Sequence, residues 1–395
     1  MYELSGVVQN YAWGHPSHIA TLLGQHHGEP QAEYWLGAHP RGAAKLGGNQ
    51  TLDQLVAENP AETLGVDVAD EYGQLPYLVK ILAAAKPLSI QCHPSKAQAE
   101  AGFARENAAG IALGAATRTY RDDNHKPELI CALTSFQAKV GFRPLAPTRE
   151  LFELLAAGNA EFDELLSLLR RREDETTVLA SALRYLLSLD VQTAARLVTL
   201  AVDQSRLLAE GGRGMLDDER RSALAWTPTI DQHFPGDIGV VVALLLHHVS
   251  LEPGQAIALQ AGNLHAYIEG VGVEVMANSD NVVRGGLTPK HIDVDELLSV
   301  VDTTPATPRV DVGSGASYRY ISPFPEFALT SITSASGGEF SDEGPEIWLV
   351  TDGEFTLTSS QGAFDLTAGD ACFVSAEEGS CRLTGAGQCW RVTTG

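Results

Sequence analysis

Four side chains from three separated stretches of this chain carry the atoms needed to hold a divalent metal ion: Gln91 and His93 in KPLSIQCHP, Glu128 in NHKPEL and His265 in AGNLHAY. On a β-strand, side chains at i and i+2 share a face, so Gln91 and His93 look one way while Ile90 and Cys92 look the other. A buried amide beside a buried imidazole needs partners, because desolvating a polar group without one costs on the order of 1–3 kcal/mol. A lone buried histidine is ordinarily a satisfied core residue, and it is the later stretches that change the reading. Together the four offer two imidazole nitrogens, a carboxylate oxygen and an amide oxygen. Zinc suits such a set, and by ligand type so do manganese, iron and cobalt. Lys126 and Glu128 again stand at i and i+2, which projects an ammonium and a carboxylate from one face; the plain alternative is an ordinary salt bridge.

Downstream, GVEVMANSDNVVRGGLTPKHID places Glu274, Asp280, Arg284 and Lys290 on one strand and the loop that follows it. Asn-Ser-Asp-Asn cannot be an apolar strand, and Arg-Gly-Gly allows a backbone to approach a ligand closely. This reads as an active-site loop in which an arginine makes bidentate contacts with a phosphate or an enediolate and a lysine acts as a point charge. Trp13, Trp35 and His39, near the start of the chain, are further candidates to line a site.

The elements that must position these groups fall into distinct regions. A chain of 395 residues is too long for one compact core, and its 44% hydrophobic content permits several. Strand patterns dominate 76–145 (YLVKILAA, LSIQCH, ELICALT, FQAKVGF), with a helix before them around Leu52 to Glu58 and helix between Ser95 and Gly114. From Ala146 to Asp231, leucines at 151, 154, 155, then 165, 166, 169, then 183, 186, 187 recur at helical spacing, which predicts a helical insert. Arg170 to Arg172 followed by Glu173 to Glu175 reads as a solvated turn. GGRGM at 211–215 lacks the features of a phosphate loop. DIGVVVALLLHH is expected to be a short buried helix ended by His247 and His248, and the final stretch to be all β with turns at Gly337–Gly338, Asp352–Gly353 and Gly362. PGQAIALQAGNLHAY at 253–267 lies over AGDACFVSAEEGSCR at 368–382 without a gap, predicting two copies of one barrel unit. In that overlay Ser380 stands opposite His265, so metal chemistry belongs to the first copy.

Lys+Arg 27 against Asp+Glu 50 gives a formal net charge of -23, which argues against nucleic acid and anionic membranes as partners. A phosphorylated ligand would then need a local cluster of cations, and Lys80, Lys86, Lys126, Arg284 and Lys290 lie near the stretches above. The N-terminus MYELSG does not read as a secretory signal, and VVVALLL falls short of a membrane span of about 20 residues. The expectation is a cytoplasmic protein. Cys92, Cys131, Cys372, Cys381 and Cys389 are odd in number and unclustered, as suits buried thiols.

NYAWG, EYWLGAHP, KPLSIQCHP, NHKPEL, PGQAIALQAGNLHAYIEG and EVMANSDNVVRGGLTPKHID, in this order over residues 10 to 293, closely resemble the type I mannose-6-phosphate isomerase family. The resemblance implies a mainly β protein: a catalytic jelly-roll barrel of the cupin type (1–145 plus 233–320), a helical domain (146–232) and a metal-free C-terminal jelly roll (321–395). It implies one zinc on Gln91, His93, Glu128 and His265, a catalytic Arg284, Lys126 near the metal, and Ser89, Lys80 and Lys290 holding a sugar phosphate, with Trp13 at the substrate. Where the family often has Thr-Pro before the last histidine, this chain has Asn263-Leu264. The implied reaction interconverts mannose 6-phosphate and fructose 6-phosphate through an enediolate, in a monomer. Lys126, Glu274, Asp280 and a metal-bound hydroxide all remain open as the base. The rival classes are a metal-holding sugar-binding protein without turnover and a non-haem iron oxygenase; the oxygenase normally uses two histidines and a carboxylate, and Gln91 as an extra ligand disfavours it.

Overall fold

The structure is a computed structural model that describes all residues except 27, 212–215 and 342–343, so most of the GGRGM stretch lies outside the described residues. Tyr77–Ala84 shows how the catalytic half is built. Its eight residues are all buried, and they alternate: Val79, Ile81 and Ala83 face a core shared with the C-terminal strands, while Leu78, Lys80 and Leu82 face the barrel interior. This strand pairs antiparallel with Glu33–Gly37 on one side and His265–Ala277 on the other. His265–Ala277 continues on to Glu128–Ala132, Phe136–Phe142 and Ile90–Cys92, so one long strand belongs to both faces of an 11-stranded closed arrangement. It bends near Gly270, which has φ +135°, and an added Cβ there would lie 2.6 Å from the Phe136 ring. Only glycine meets both demands.

The helical insert forms as its leucine spacing predicts. Leu145–Ala156, Asp163–Leu169, Glu175–Leu187, Val191–Gly211 and Asp218–His233 bury Leu151, Leu155, Leu165, Leu169, Leu183 and Leu186 in one core. That core runs without a break into Ile90, Cys92, Leu264, Val283 and Leu287, so the insert packs behind the strands that carry Gln91, His265 and Arg284. Asp174 caps Glu175–Leu187 by accepting from the Thr177 N–H at 2.9 Å, in an exposed turn. Among the described residues no single helix is long and apolar enough to cross a membrane.

Two expectations are corrected. The helix in DIGVVVALLLHH is only Gly239–Val242, and His247 and His248 lie in the strand Leu246–Leu251, paired with Phe136–Phe142. A short apolar run has no periodicity that separates helix from strand, and here the free edge of Phe136–Phe142 decides. Gly337–Gly338 and Asp352–Gly353 are not turns. They lie inside the 14-residue strands Ala328–Ser341 and Glu346–Ser359: Gly337 sits at a shift of register where glycine accommodates a bulge, and Gly353 pairs regularly with Gly387 just beyond a shift at Thr351.

The C-terminal strands form a second sheet of eight, and the chain's first strand, Tyr2–Ser5, joins it by pairing with Ala371–Val374. The repeat is visible in three dimensions: Gln255–Leu259 corresponds to Ala371–Val374, and His265 and Ser380 are each the first residue of the long strand that follows. Leu349, Phe373, Trp390 and Val392 pack against Val79, Ile81 and Val273 in one core between the two sheets. Within that core the Tyr77 hydroxyl donates to the Pro345 carbonyl at 2.8 Å and lies 3.2 Å from that of Val392.

Tyr77→Phe should therefore lower stability by about 1–2 kcal/mol, read as a lower urea midpoint with unchanged slope, because buried carbonyls lose their donor. A midpoint equal to wild type would show that the tie carries no energy. A second outcome concerns acid. Burial, with Lys139 and Arg143 nearby, lowers His248 from 6.5 to about 2. The unfolded chain thus binds the proton first, so this group's contribution is full above about pH 6.5 and is lost progressively as pH falls towards 2. His248→Gln should flatten the dependence of melting temperature on pH in that window.

Candidate metal centre and substrate cavity

Ile90–Cys92 is a three-residue strand hydrogen-bonded to both His265–Ala277 and Val283–Gly286. Its register places Gln91 beside His265 on one side and beside Arg284 on the other. Arg284 thus stands on a strand of its own, where a loop was expected, because Val283 and Arg284 complete the ladder of Cys92 and Gln91. Glu128 opens the strand Glu128–Ala132 and is paired with Met276.

These ladders bring His93, Glu128 and His265 together, each about 1% exposed. His93 Nε2 lies 3.4 Å from Glu128 Oε1, His265 Nε2 lies 3.4 Å from Glu128 Oε2, and the Gln91 amide is 3.5 Å from His265 Nε2. Both rings are fixed by backbone. His93 Nδ1–H donates to the Asn281 carbonyl at 2.7 Å, and His265 Nδ1–H donates to the Asn263 carbonyl at 2.9 Å, which leaves each Nε2 with a bare lone pair. His93 Nε2 and Glu128 Oε2 are buried without a hydrogen-bond partner among the described residues. Donors bonded at about 2.0–2.1 Å to a tetrahedral ion stand about 3.3 Å apart. The observed spacings and orphaned lone pairs therefore fit a metal ion.

Protonation states agree with that use. Burial, reinforced by Lys126, lowers His93 to about 4, so it is neutral near pH 7. Burial alone would raise the Glu128 carboxyl, but Lys126 at 2.9 Å and His93 hold it well below the usual carboxylate range. The salt bridge and the ligand reading of Lys126 and Glu128 thus hold together. Asn263, in place of the more usual Thr-Pro, supplies a carbonyl and leaves His265 correctly oriented.

Above the cluster opens a cavity of about 630 Å³ lined by Trp13, Lys80, Ser89, Gln91, Lys126, Asp280, Arg284 and Lys290, among others. Every predicted site residue is therefore here or directly beneath, except that Glu274 does not line it. Glu274 is 2% exposed and binds Lys80 at 2.8 Å, with Glu33 3.6 Å from the same ammonium. Burial pushes the Glu274 carboxyl up, partly offset by Lys80. Lys80, which burial alone would neutralise, is held above its ordinary range by Glu274 and Glu33.

Two cations at the rim were missed by the sequence reading. Arg41 donates to Asp280 Oδ1 at 2.8 Å, and Arg121 lines the cavity beside Arg284. Each lies just outside a quoted motif, Arg41 directly after EYWLGAHP and Arg121 three residues before NHKPEL. His39 also lines the cavity, 3.7 Å from Asp280, with its Nδ1 accepting from the Arg41 N–H. Burial is the main cause that lowers it to about 4, which leaves a neutral ring. Arg121, Arg284 and Lys290 make no ion pair among the described residues. Arg284 first, then burial and Arg121, depress the Lys290 ammonium, as expected where cations crowd without an anion.

His265→Ala should lower metal content, because one of four donors is lost and water replaces an imidazole at lower affinity, whereas Ser380→Ala should leave it unchanged. Metal analysis of both proteins checks this; full occupancy in His265→Ala would sink the ligand assignment.

Residues 1–145 match the family model of the phosphomannose isomerase type I catalytic domain, and residues 324–394 that of the mannose-6-phosphate isomerase cupin domain. The mannose-6-phosphate isomerase of Salmonella typhimurium is 36% identical, with 99% of each chain covered, and that of Bos taurus 34% identical, covering 97% of this chain and 96% of the other. A zinc-bound crystal structure of a mannose 6-phosphate isomerase superposes with a TM-score of 0.87 at 34% identity, over 100% of this chain and 99% of the other. With full-length identity above a third and a shared fold, this chain belongs to the type I mannose-6-phosphate isomerase family.

Proposed function

We propose that the protein is an aldose–ketose isomerase that interconverts D-mannose 6-phosphate and D-fructose 6-phosphate, with one zinc ion on Gln91, His93, Glu128 and His265. The observation that carries this reading is the cluster of His93, Glu128 and His265, with orphaned lone pairs on His93 and Glu128, beneath a cavity whose Arg121, Arg284 and Lys290 have no carboxylate partner among the described residues. The donors suit zinc, and the cations suit the phosphate dianion of a sugar that the net charge of -23 would otherwise repel. Membership of the family supports the choice of sugar.

In the forward reaction a proton leaves C2 of the aldose, negative charge spreads over O1 and O2 as an enediolate, and a proton is returned to C1. Bound zinc supplies Lewis-acid polarisation of substrate oxygens. Arg284, half-buried on the strand beside Gln91, supplies a fixed positive charge where the enediolate develops. Lys126 keeps Glu128 ionised and presents its ammonium to the cavity. Of the carboxylates considered for proton transfer, Asp280 faces the cavity and Glu274 does not. Asp280 is therefore assigned the proton-accepting role, held by Arg41 and His39, while Glu274 keeps Lys80 charged at the wall. Ser89 and Lys290 are assigned to the phosphate with Arg121, and Trp13 to the sugar's apolar face. The protein is proposed to act as a monomer in the cytoplasm. Residues 1–145 plus 233–320 act as the catalytic unit, 146–232 as its helical support and 321–395 as a metal-free cover.

If Arg284 stabilises charge that develops only in the transition state, Arg284→Ala lowers kcat and kcat/KM together by about 10²–10³, with KM and metal content little changed. A rise in KM alone, measured in a coupled assay with mannose 6-phosphate, would move Arg284 from catalysis to phosphate binding. No change in either constant would remove it from the site. Asp280→Asn should lower kcat with zinc retained; unaltered turnover would exclude Asp280 as the base.

A further inference from the structure

The last long helix returns to the barrel through FPGDIG, 234–239. Asp237 in this segment makes one contact that its own turn requires, accepting from the Gly239 N–H at 2.7 Å through Oδ1. Its other contacts reach 50 residues onward, where Oδ1 accepts from the Leu287 N–H at 3.2 Å and Oδ2 from the Thr288 N–H at 3.0 Å. Leu287 and Thr288 lie between Arg284 and Lys290. Leu287 has φ +53°, a left-handed conformation that a β-carbon disfavours, so the surroundings must hold it there. Its side chain is buried in the core shared with the helices. The two segments also touch backbone to backbone. A Cβ on Gly286 would lie 2.7 Å from Gly239 Cα, and one on Gly239 would lie 2.4 Å from the Leu287 nitrogen. There is no side-chain slack in this joint.

We infer that Asp237 is a positioning residue for the reaction: by accepting from two consecutive backbone N–H groups it sets the path of the segment that brings Arg284 and Lys290 to the cavity. Asp237 does not line the cavity, so it acts through that segment and not on the substrate. A carboxylate is the side chain this joint calls for. It offers lone pairs on both oxygens, whereas asparagine in the same place turns an NH2 group against one of the donors.

The inference rests on the assignment of Arg284 above, and a double-mutant cycle on kcat/KM tests the two separately, with metal content measured on each protein. Asp237→Asn is expected to lower kcat/KM on the order of 10- to 100-fold with metal retained, since small misplacements of a catalytic group are costly. In the Arg284→Ala background the same substitution should cost several-fold less than in wild type, because one of the two cations it positions is gone and only the placement of Lys290 is left to lose. Equal losses in both backgrounds, or no loss in the first, overturn the inference alone. Wild-type kinetics in Arg284→Ala would overturn the assignment of Arg284 and the inference with it. Should Asp237→Asn not fold, Asp237→Glu carries the same cycle, since it keeps a carboxylate but lengthens the arm that holds the Leu287 and Thr288 N–H groups, and the same two outcomes decide.

Discussion

The strand His265–Ala277 is hydrogen-bonded to four other strands, and the geometry of the site follows from that pairing. At its beginning His265 is registered with Gln91; near its end Met276 is registered with Glu128 and Glu274 with Lys80. Backbone ladders have a fixed spacing, so groups from positions 91, 128 and 265 are brought within bonding range of one ion without any loop having to find its place. The bend at Gly270 lets one strand serve both faces of the barrel.

Electrostatics then divides the interior into two zones. Beneath the cavity two buried lysines are paired with carboxylates: Lys126 on Glu128, Lys80 between Glu33 and Glu274. Unpaired, these groups would neutralise, since charging them in a dry interior costs several kcal/mol. Above, at the wetter mouth, Arg121, Arg284 and Lys290 crowd one another without such partners. The cost is tolerable there because water reaches them, and a bound dianion would relieve it. An acidic protein thereby keeps a cationic pocket whose field is local.

The second barrel keeps the strand plan of the first with a different residue at the position of His265. Ser380 begins its long strand as His265 begins the first, but it has no imidazole, while Trp390, Phe373 and Leu349 of this barrel are turned into the core between the sheets. The opening strand Tyr2–Ser5 is sewn into this second sheet, and the chain then crosses into the first by Val7–Gln9. The two barrels are thus joined at the start of the chain as well as along their shared core.

What the sequence determined by itself was local chemistry and periodicity. The i, i+2 spacing of Gln91 and His93, the leucine spacing of the insert and the gapless overlay of His265 on Ser380 depend on neighbours within a few residues, or on a copy of the same segment, and they are readable for that reason. The long motifs carried the four candidate ligands and Arg284 with them. Tertiary structure decided what depends on partners far along the chain. His247 and His248 became strand because Phe136–Phe142 offered an edge, and Gly337 and Gly353 were absorbed into strands because those strands had longer partners than the turn signals implied. Glu274 was directed to Lys80, away from the cavity, and Arg41 and Arg121 were brought in from just beyond their motifs. Facing is set by which strands pair and at what register, and no side chain records that alone; the energy that selects it is distributed over ladders and cores hundreds of residues apart.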